Sequence, residues 1–145
     1  MRALIGLLLV LTLGLVACGG GDSGPPPVPE GSSDTVTTAS GLQIIDIVVG
    51  NGDTVQAGDT VTVHYTGWLT DGTVFDTTLD DGNPVSFELN PARLIQGWVE
   101  GIPEMQVGGM RRLIIPPELA YGDAGRSGIP PNSVLIFDIE LLAAE

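Results

Sequence analysis

One histidine, one cysteine and seven aromatic side chains (three Phe, two Tyr, two Trp) stand beside the carboxylates as the residues that could do chemistry. Gly21-Asp22-Ser23-Gly24 has the form of a trypsin-type nucleophile signature. It is discounted, because a serine nucleophile needs a base that a third group holds in place. The only histidine, His64, sits on a strand-like run elsewhere, and the Gly21 segment has nothing to bury. No spacing of His, Cys, Asp and Glu matches a metal site, and His64 is most simply a structural residue. Several short motifs carry most of the aromatics and one of the carboxylates. Tyr65 lies in Val63-His64-Tyr65-Thr66-Gly67, and Phe75 and Asp76 close Gly72-Thr73-Val74-Phe75-Asp76. Trp98 follows Gly97, Tyr121 lies in Ala120-Tyr121-Gly122, and Phe137 is in the last apolar run. Each has a plain alternative: Trp98 as core packing, Asp76 as a residue that opens a turn, Tyr121 as a packing plug at the start of a loop.

These residues need elements to position them. Gly, Asn, Asp and Pro divide the chain beyond residue 40 into short β-runs. Strands are predicted over 42–49, 60–69, 85–89, 111–115 and 134–142, with 74–76 continuing the β-region after a turn. Over 60–69 the alternation is clean, with Val61, Val63 and Tyr65 on one face and Thr62 and His64 on the other. After the 85–89 run the period changes. Asn90 suits an N-cap and Pro91 the first helical position. Leu94, Ile95, Trp98, Val99 and Ile102 follow at helical spacing as one apolar stripe, and Pro103 ends it. Arg111-Arg112 reads most simply as a solvated pair, bonded at most to nearby acids. The expectation is α+β: a twisted antiparallel sheet of about five strands around one short helix, in a monomeric domain over 41–145.

The front of the chain differs in composition. Met1-Arg2 is a short positive start, and residues 3–16 are apolar apart from Gly6, Thr12 and Gly14. That run is short for a membrane span, which takes about 20 residues, and has the length of a signal-peptide core. Leu15-Val16-Ala17-Cys18 resembles the bacterial lipobox, in which the cysteine is diacylated and becomes the first residue after cleavage. The expected organisation is a signal peptide over 1–17, a lipidated Cys18 opening a flexible Gly/Ser/Pro-rich tether over 18–40, and the folded domain. It implies an extracytoplasmic protein anchored to a bacterial membrane, at the periplasm or cell surface. The formal net charge is -13 and every basic residue is arginine. That balance argues against nucleic acid and against direct docking on anionic lipid.

Taken together and in this order, the motifs around Tyr65, Phe75-Asp76, Gly97-Trp98 and Tyr121 resemble the FK506-binding-protein (FKBP) family of peptidyl-prolyl cis-trans isomerases, over the last 105 or so residues. The resemblance implies a helix lying across a twisted sheet, with a pocket at one end that takes proline-containing polypeptides and macrolides such as FK506 and needs no cofactor and no metal. Trp98 would be its floor, with Phe75, Phe137 and Tyr65 holding the proline ring. The Tyr65 hydroxyl would bond Asp76. Tyr121 and the Ile95 N–H would meet substrate carbonyls, with Leu94 beside them, although that N–H could be spent inside the helix. Ile129 would close the far wall. The sequence departs from the familiar pattern at the rim. Val85 stands where an aromatic is usual, Asp81 and Arg93 where opposite charges are familiar, and Arg126 where a histidine is frequent. The implied activity is isomerisation of X-Pro bonds in exported proteins. Two alternatives stay open: a non-catalytic chaperone or binding module for Pro-containing segments on the same fold, and a surface lipoprotein with a structural role.

Overall fold

The computed structural model describes residues 24–145. The signal-peptide and Cys18 assignments lie outside the described residues. The elements are β1 (Val36–Thr37), β2 (Gln43–Val48), β3 (Thr60–Trp68), β4 (Val74–Thr77), β5 (Val85–Glu88), α1 (Gln96–Gly101), β6 (Met110–Ile115) and β7 (Leu135–Ala144). They form one antiparallel sheet in the order β1-β2-β6-β7-β3-β4, with β5 also paired to β3. The α+β expectation holds, with seven strands where about five were expected. The count rises because β4 and β5 share one edge of β3, at Thr66–Trp68 and Thr60–Val63 respectively, and because β1 extends the opposite edge. No helix among the described residues is long and apolar enough to cross a membrane.

Successive side chains of a strand point to opposite faces. Val61 and Val63 of β3, Leu113 and Ile115 of β6, and Leu135, Phe137, Ile139 and Leu141 of β7 share the inner face and are buried. They meet Trp98 and Ile102 from the helix segment in one core. The helix is shorter than predicted. Asn90 does start a turn, since its Oδ1 accepts the Ala92 N–H at 2.9 Å and its carbonyl accepts the N–H of Arg93 and Leu94. Ile95 is then extended (φ -61°, ψ 147°), so the helix begins only at Gln96, with Ile95 as a cap that makes no side-chain bond.

This six-residue helix lies close to β6 because Gly97 and Gly101 face it. A Cβ at Gly97 would sit 2.5 Å from Ile115 Cγ2, and one at Gly101 2.7 Å from Leu113 Cδ2. Alanine normally favours a helix over glycine by about 1 kcal/mol. At Gly97 the overlap with fully buried Ile115 reverses that sign. Gly97→Ala is expected to destabilise the fold by about 1–3 kcal/mol, read as a lower denaturant midpoint. An unchanged or higher midpoint would show that the helix can retreat from β6.

Arg111 and Arg112 are not a solvated pair. Both are buried, at 9% and 4% exposure. Arg111 Nε donates to Asp46 at 2.6 Å, and its Nη1 donates to the carbonyls of Gly101 and Pro103, closing the C-terminal end of α1. Arg112, on the outer face, makes a two-pronged bond to Asp138 at 2.6 and 2.8 Å. Its Nη1 also donates to the Pro26 carbonyl at 2.6 Å. Part of the segment expected as a tether therefore lies against the domain. Ser33 exchanges hydrogen bonds with the Asp46 backbone, and β1 pairs with β2 at Val36–Ile44 and Thr37–Gln43.

Candidate active site

Six of the seven aromatics stand around a cleft of about 580 Å³ at one end of the sheet. Tyr65 comes from β3, Phe75 from β4, Phe87 from β5, Trp98 from α1, Phe137 from β7, and Tyr121 from the loop after β6. Trp98 is the hub. Tyr65, Phe137 and Phe87 meet it edge-on at centroid distances of 5.0, 5.3 and 5.5 Å, an arrangement that opposes the positive rim of one ring to the negative face of another. Its indole N–H is buried with no acceptor among the described residues, so the site keeps a tryptophan where a polar atom goes unsatisfied. Phe75 and Phe137 are perpendicular at 5.4 Å. They can meet because Gly67 lies between them: its Cβ would fall 2.6 Å from Phe75 and 2.8 Å from Phe137. In register, Gly67 faces Asp76 on β4 and Phe137 on β7.

The Tyr65 hydroxyl donates to Asp76 Oδ2 at 2.6 Å. Burial first, then the hydrogen bond and charge of Asp76, hold this phenol above its ordinary value of 10. A value raised by folding means that the folded state favours the neutral phenol. Its contribution to stability is whole below about pH 10 and is lost as the pH rises beyond. In an ultraviolet titration of the folded protein, Tyr65 should stay un-ionised past pH 10, and Tyr65→Phe should remove the late phase. A Tyr65 that ionises at its ordinary value would contradict the buried, carboxylate-bound geometry.

Of the residues singled out in the sequence, Tyr65, Phe75, Asp76, Leu94, Ile95, Trp98, Tyr121 and Phe137 come together on the cleft. The Ile95 N–H is not spent in the helix, which starts one residue later. It makes no hydrogen bond among the described residues. Two residues fall elsewhere. Val85 is exposed on β5 and does not line the cleft. Ile129 is 6% exposed and packs into the core, lining instead an adjoining shallow cleft with Leu69 and Pro130. His64 points to the other face, where its Nδ1 lies 2.9 Å from the hydroxyl of buried Thr78, a structural role. Phe87, Ala92, Arg93, Gln96 and Arg126 also line the cleft. Phe87 falls in the expected 85–89 strand, and nothing in its local sequence points to the cleft. Arg126 drew notice only as a departure, and its partner was invisible: its Nη1 donates to the Tyr121 hydroxyl at 3.0 Å.

The family model described as FKBP-type peptidyl-prolyl cis-trans isomerase matches residues 52–142. The FKBP-type peptidyl-prolyl cis-trans isomerase FkpA of Aeromonas hydrophila is 50% identical over 109 residues, covering 75% of this chain and 40% of that protein. The peptidyl-prolyl cis-trans isomerase Fkbp12 of Drosophila melanogaster is 47% identical over 107 residues, covering 72% of this chain and 99% of that protein. The crystal structure of FkpA from Escherichia coli superposes with a TM-score of 0.72 at 46% identity, covering 77% of this chain and 51% of that one. The chain thus spans about half or less of the FkpA proteins it matches and nearly the whole of the Drosophila protein. The matched stretch takes in the strands and the helix that carry the cleft, and this chain belongs to the FKBP-type peptidyl-prolyl cis-trans isomerase family.

Proposed function

We propose that the domain binds proline-containing segments in the aromatic cleft and speeds rotation about the X-Pro bond. The observation that carries this is the Trp98-centred cleft with the Tyr65–Asp76 bond at its wall. Peptide rotation is slow because resonance gives the C–N bond partial double-bond character, a barrier of about 18–20 kcal/mol. The twisted amide has lost that resonance and much of its dipole. It therefore loses less than the planar form on leaving water for an apolar cleft. Only interactions stronger in the twisted state than in the ground state accelerate the reaction, and each 1.36 kcal/mol of such preference gives about tenfold. Trp98, Phe75, Phe137 and Tyr65 would hold the ring. The Ile95 N–H and the Tyr121 hydroxyl would hold flanking carbonyls, with Leu94 beside them, and Asp76 would fix Tyr65. Val85 and Ile129 would act at most through the loops and strand that shape the rim. No proton changes hands and no cofactor is called for. Macrolides such as FK506 would compete for the same cleft.

The test is exchange of a short Ala-Pro peptide followed by nuclear magnetic resonance. Acceleration by the purified protein supports the enzyme. Peptide binding without acceleration would leave the non-catalytic binding module as the better account.

The setting in the cell is part of the proposal and rests on the sequence. The positive start, the apolar run over 3–16 and the Leu15-Val16-Ala17-Cys18 tetrapeptide support a lipid anchor on Cys18 and clients among exported proteins. Two acyl attachments would give stable anchoring, where one is marginal. Cys18→Ala should abolish labelling with a fatty-acid analogue and release the protein from membranes. Retained labelling would sink the anchor.

A further inference from the structure

The described residues contain four arginines and no lysine, in a chain of net charge -13. Two of them, Arg111 and Arg112, are buried in ion pairs with Asp46 and Asp138. The other two, Arg93 and Arg126, are exposed, make no ion pair among the described residues, and both line the cleft. All the uncompensated positive charge of the described residues thus stands at one place. The one carboxylate that lines the cleft, Asp76, already accepts the Tyr65 hydroxyl.

Arg126 is also held in place. Its N–H donates to the Ile129 carbonyl at 3.0 Å, and its carbonyl accepts the Ile129 N–H at 2.9 Å. Ile129 is itself anchored in the core. The guanidinium stacks on the Tyr121 ring, 5.0 Å from its centroid, and spends one N–H on that hydroxyl. A guanidinium has five N–H donors in a rigid fork shaped for carboxylates, and only one of them is spent on a side chain of the described residues, at a residue that lines the cleft. Arg93 lines the same cleft from the turn that precedes Ile95.

We propose that Arg93 and Arg126 make the cleft mouth a selector for prolines flanked by acidic side chains, and against prolines flanked by lysine or arginine. This rests on the cleft being the proline site. The surrounding negative charge is no obstacle once a segment has docked: salt screens charges beyond about 10 Å at 0.1 M, so a side chain next to a bound proline feels the arginines first. Exposed charge pairs are each worth a small factor, about two- to fivefold. Two arginines, each favouring one peptide and opposing the other, should separate a Glu-flanked from a Lys-flanked peptide by on the order of tenfold at low salt.

The experiment compares three peptides that differ only beside the proline, carrying Glu, Ala or Lys. It reads kcat/KM by exchange spectroscopy and Kd by calorimetry on the same protein. The expected order is Glu, then Ala, then Lys, with the Glu-to-Lys ratio shrinking at 1 M salt. The double variant Arg93→Ala/Arg126→Ala should bring the ratio near one, whatever it does to the common rate, and Arg93→Lys/Arg126→Lys should restore much of it. A wild-type ratio near one, or a ratio the alanine pair leaves unchanged, overturns the proposal. If no peptide is accelerated, the isomerase reading fails while the Kd order still decides this one.

Discussion

Asp76→Ala should lower kcat/KM for an X-Pro peptide by roughly ten- to a hundredfold, with little loss of stability. A hydrogen bond to a charged group is worth about 1.5–3 kcal/mol net, and that range converts to this factor at 1.36 kcal/mol per tenfold. The small effect on folding follows because Asp76 is exposed and takes part in no ion pair of the described residues. The loss should appear mainly through Tyr65, whose hydroxyl Asp76 holds at 2.6 Å. Tyr65→Phe keeps the ring against Trp98 and removes the same bond. The two substitutions together should then cost less than the sum of each alone, as expected for residues that share one interaction. An unchanged rate in the alanine variant would remove Asp76 from the site. Strictly additive losses would mean that it acts by another route.

Asp138→Ala should be the most damaging change of a charged residue, at about 3–5 kcal/mol. Removing one partner of a buried pair leaves the other charge uncompensated. Here that charge is Arg112, 4% exposed and bonded to Asp138 through Nε and Nη2. Marginal domains have about 5–15 kcal/mol in all, so the variant should unfold at a much lower denaturant midpoint. Replacing both partners by apolar residues of like volume, Arg112→Met with Asp138→Leu, should recover much of the loss, since a buried ion pair contributes little beyond what packing can supply. A single variant as stable as wild type would mean that water reaches Arg112 as soon as Asp138 is gone.

How far the sequence could be read depended on the distance over which each residue's partner lies. The alternation of Val61, Val63 and Tyr65 marked β3, and the aromatic motifs marked the residues that meet in the cleft, because each carries its own local signal. Asn90 misled for the same reason: it is a good cap for a turn, and nothing nearby in sequence shows that Ile95 breaks the path before the helix starts. The buried arginines were hidden because their partners, Asp46 and Asp138, are distant in the chain and are brought alongside only by β2 and β7. Gly97 and Gly101 have low intrinsic helix preference, and only Leu113 and Ile115 packed against them show why glycine stands there. Arg126 illustrates the same limit at the site, since its role depends on the fold of the loop around Tyr121.

The placement of β7 has a consequence for how such a chain comes into being. It follows every other strand in sequence, yet it joins β6 on one side and β3 on the other. Without it the sheet falls into two unconnected pieces, β1-β2-β6 and β3 with β4 and β5. Val61 finds its β7 partner only at Ala144, and Thr60 bonds Glu145 in both directions. A chain that emerges front end first, from a ribosome or through a membrane pore, therefore holds an incomplete sheet until residue 144 is out. Pairings this far apart in sequence are slow to form, and open strand edges invite association with other chains in the meantime. The cleft of such a chain, built from β3, β4, β5, α1 and β7, could therefore be completed only after β7 has joined the two halves.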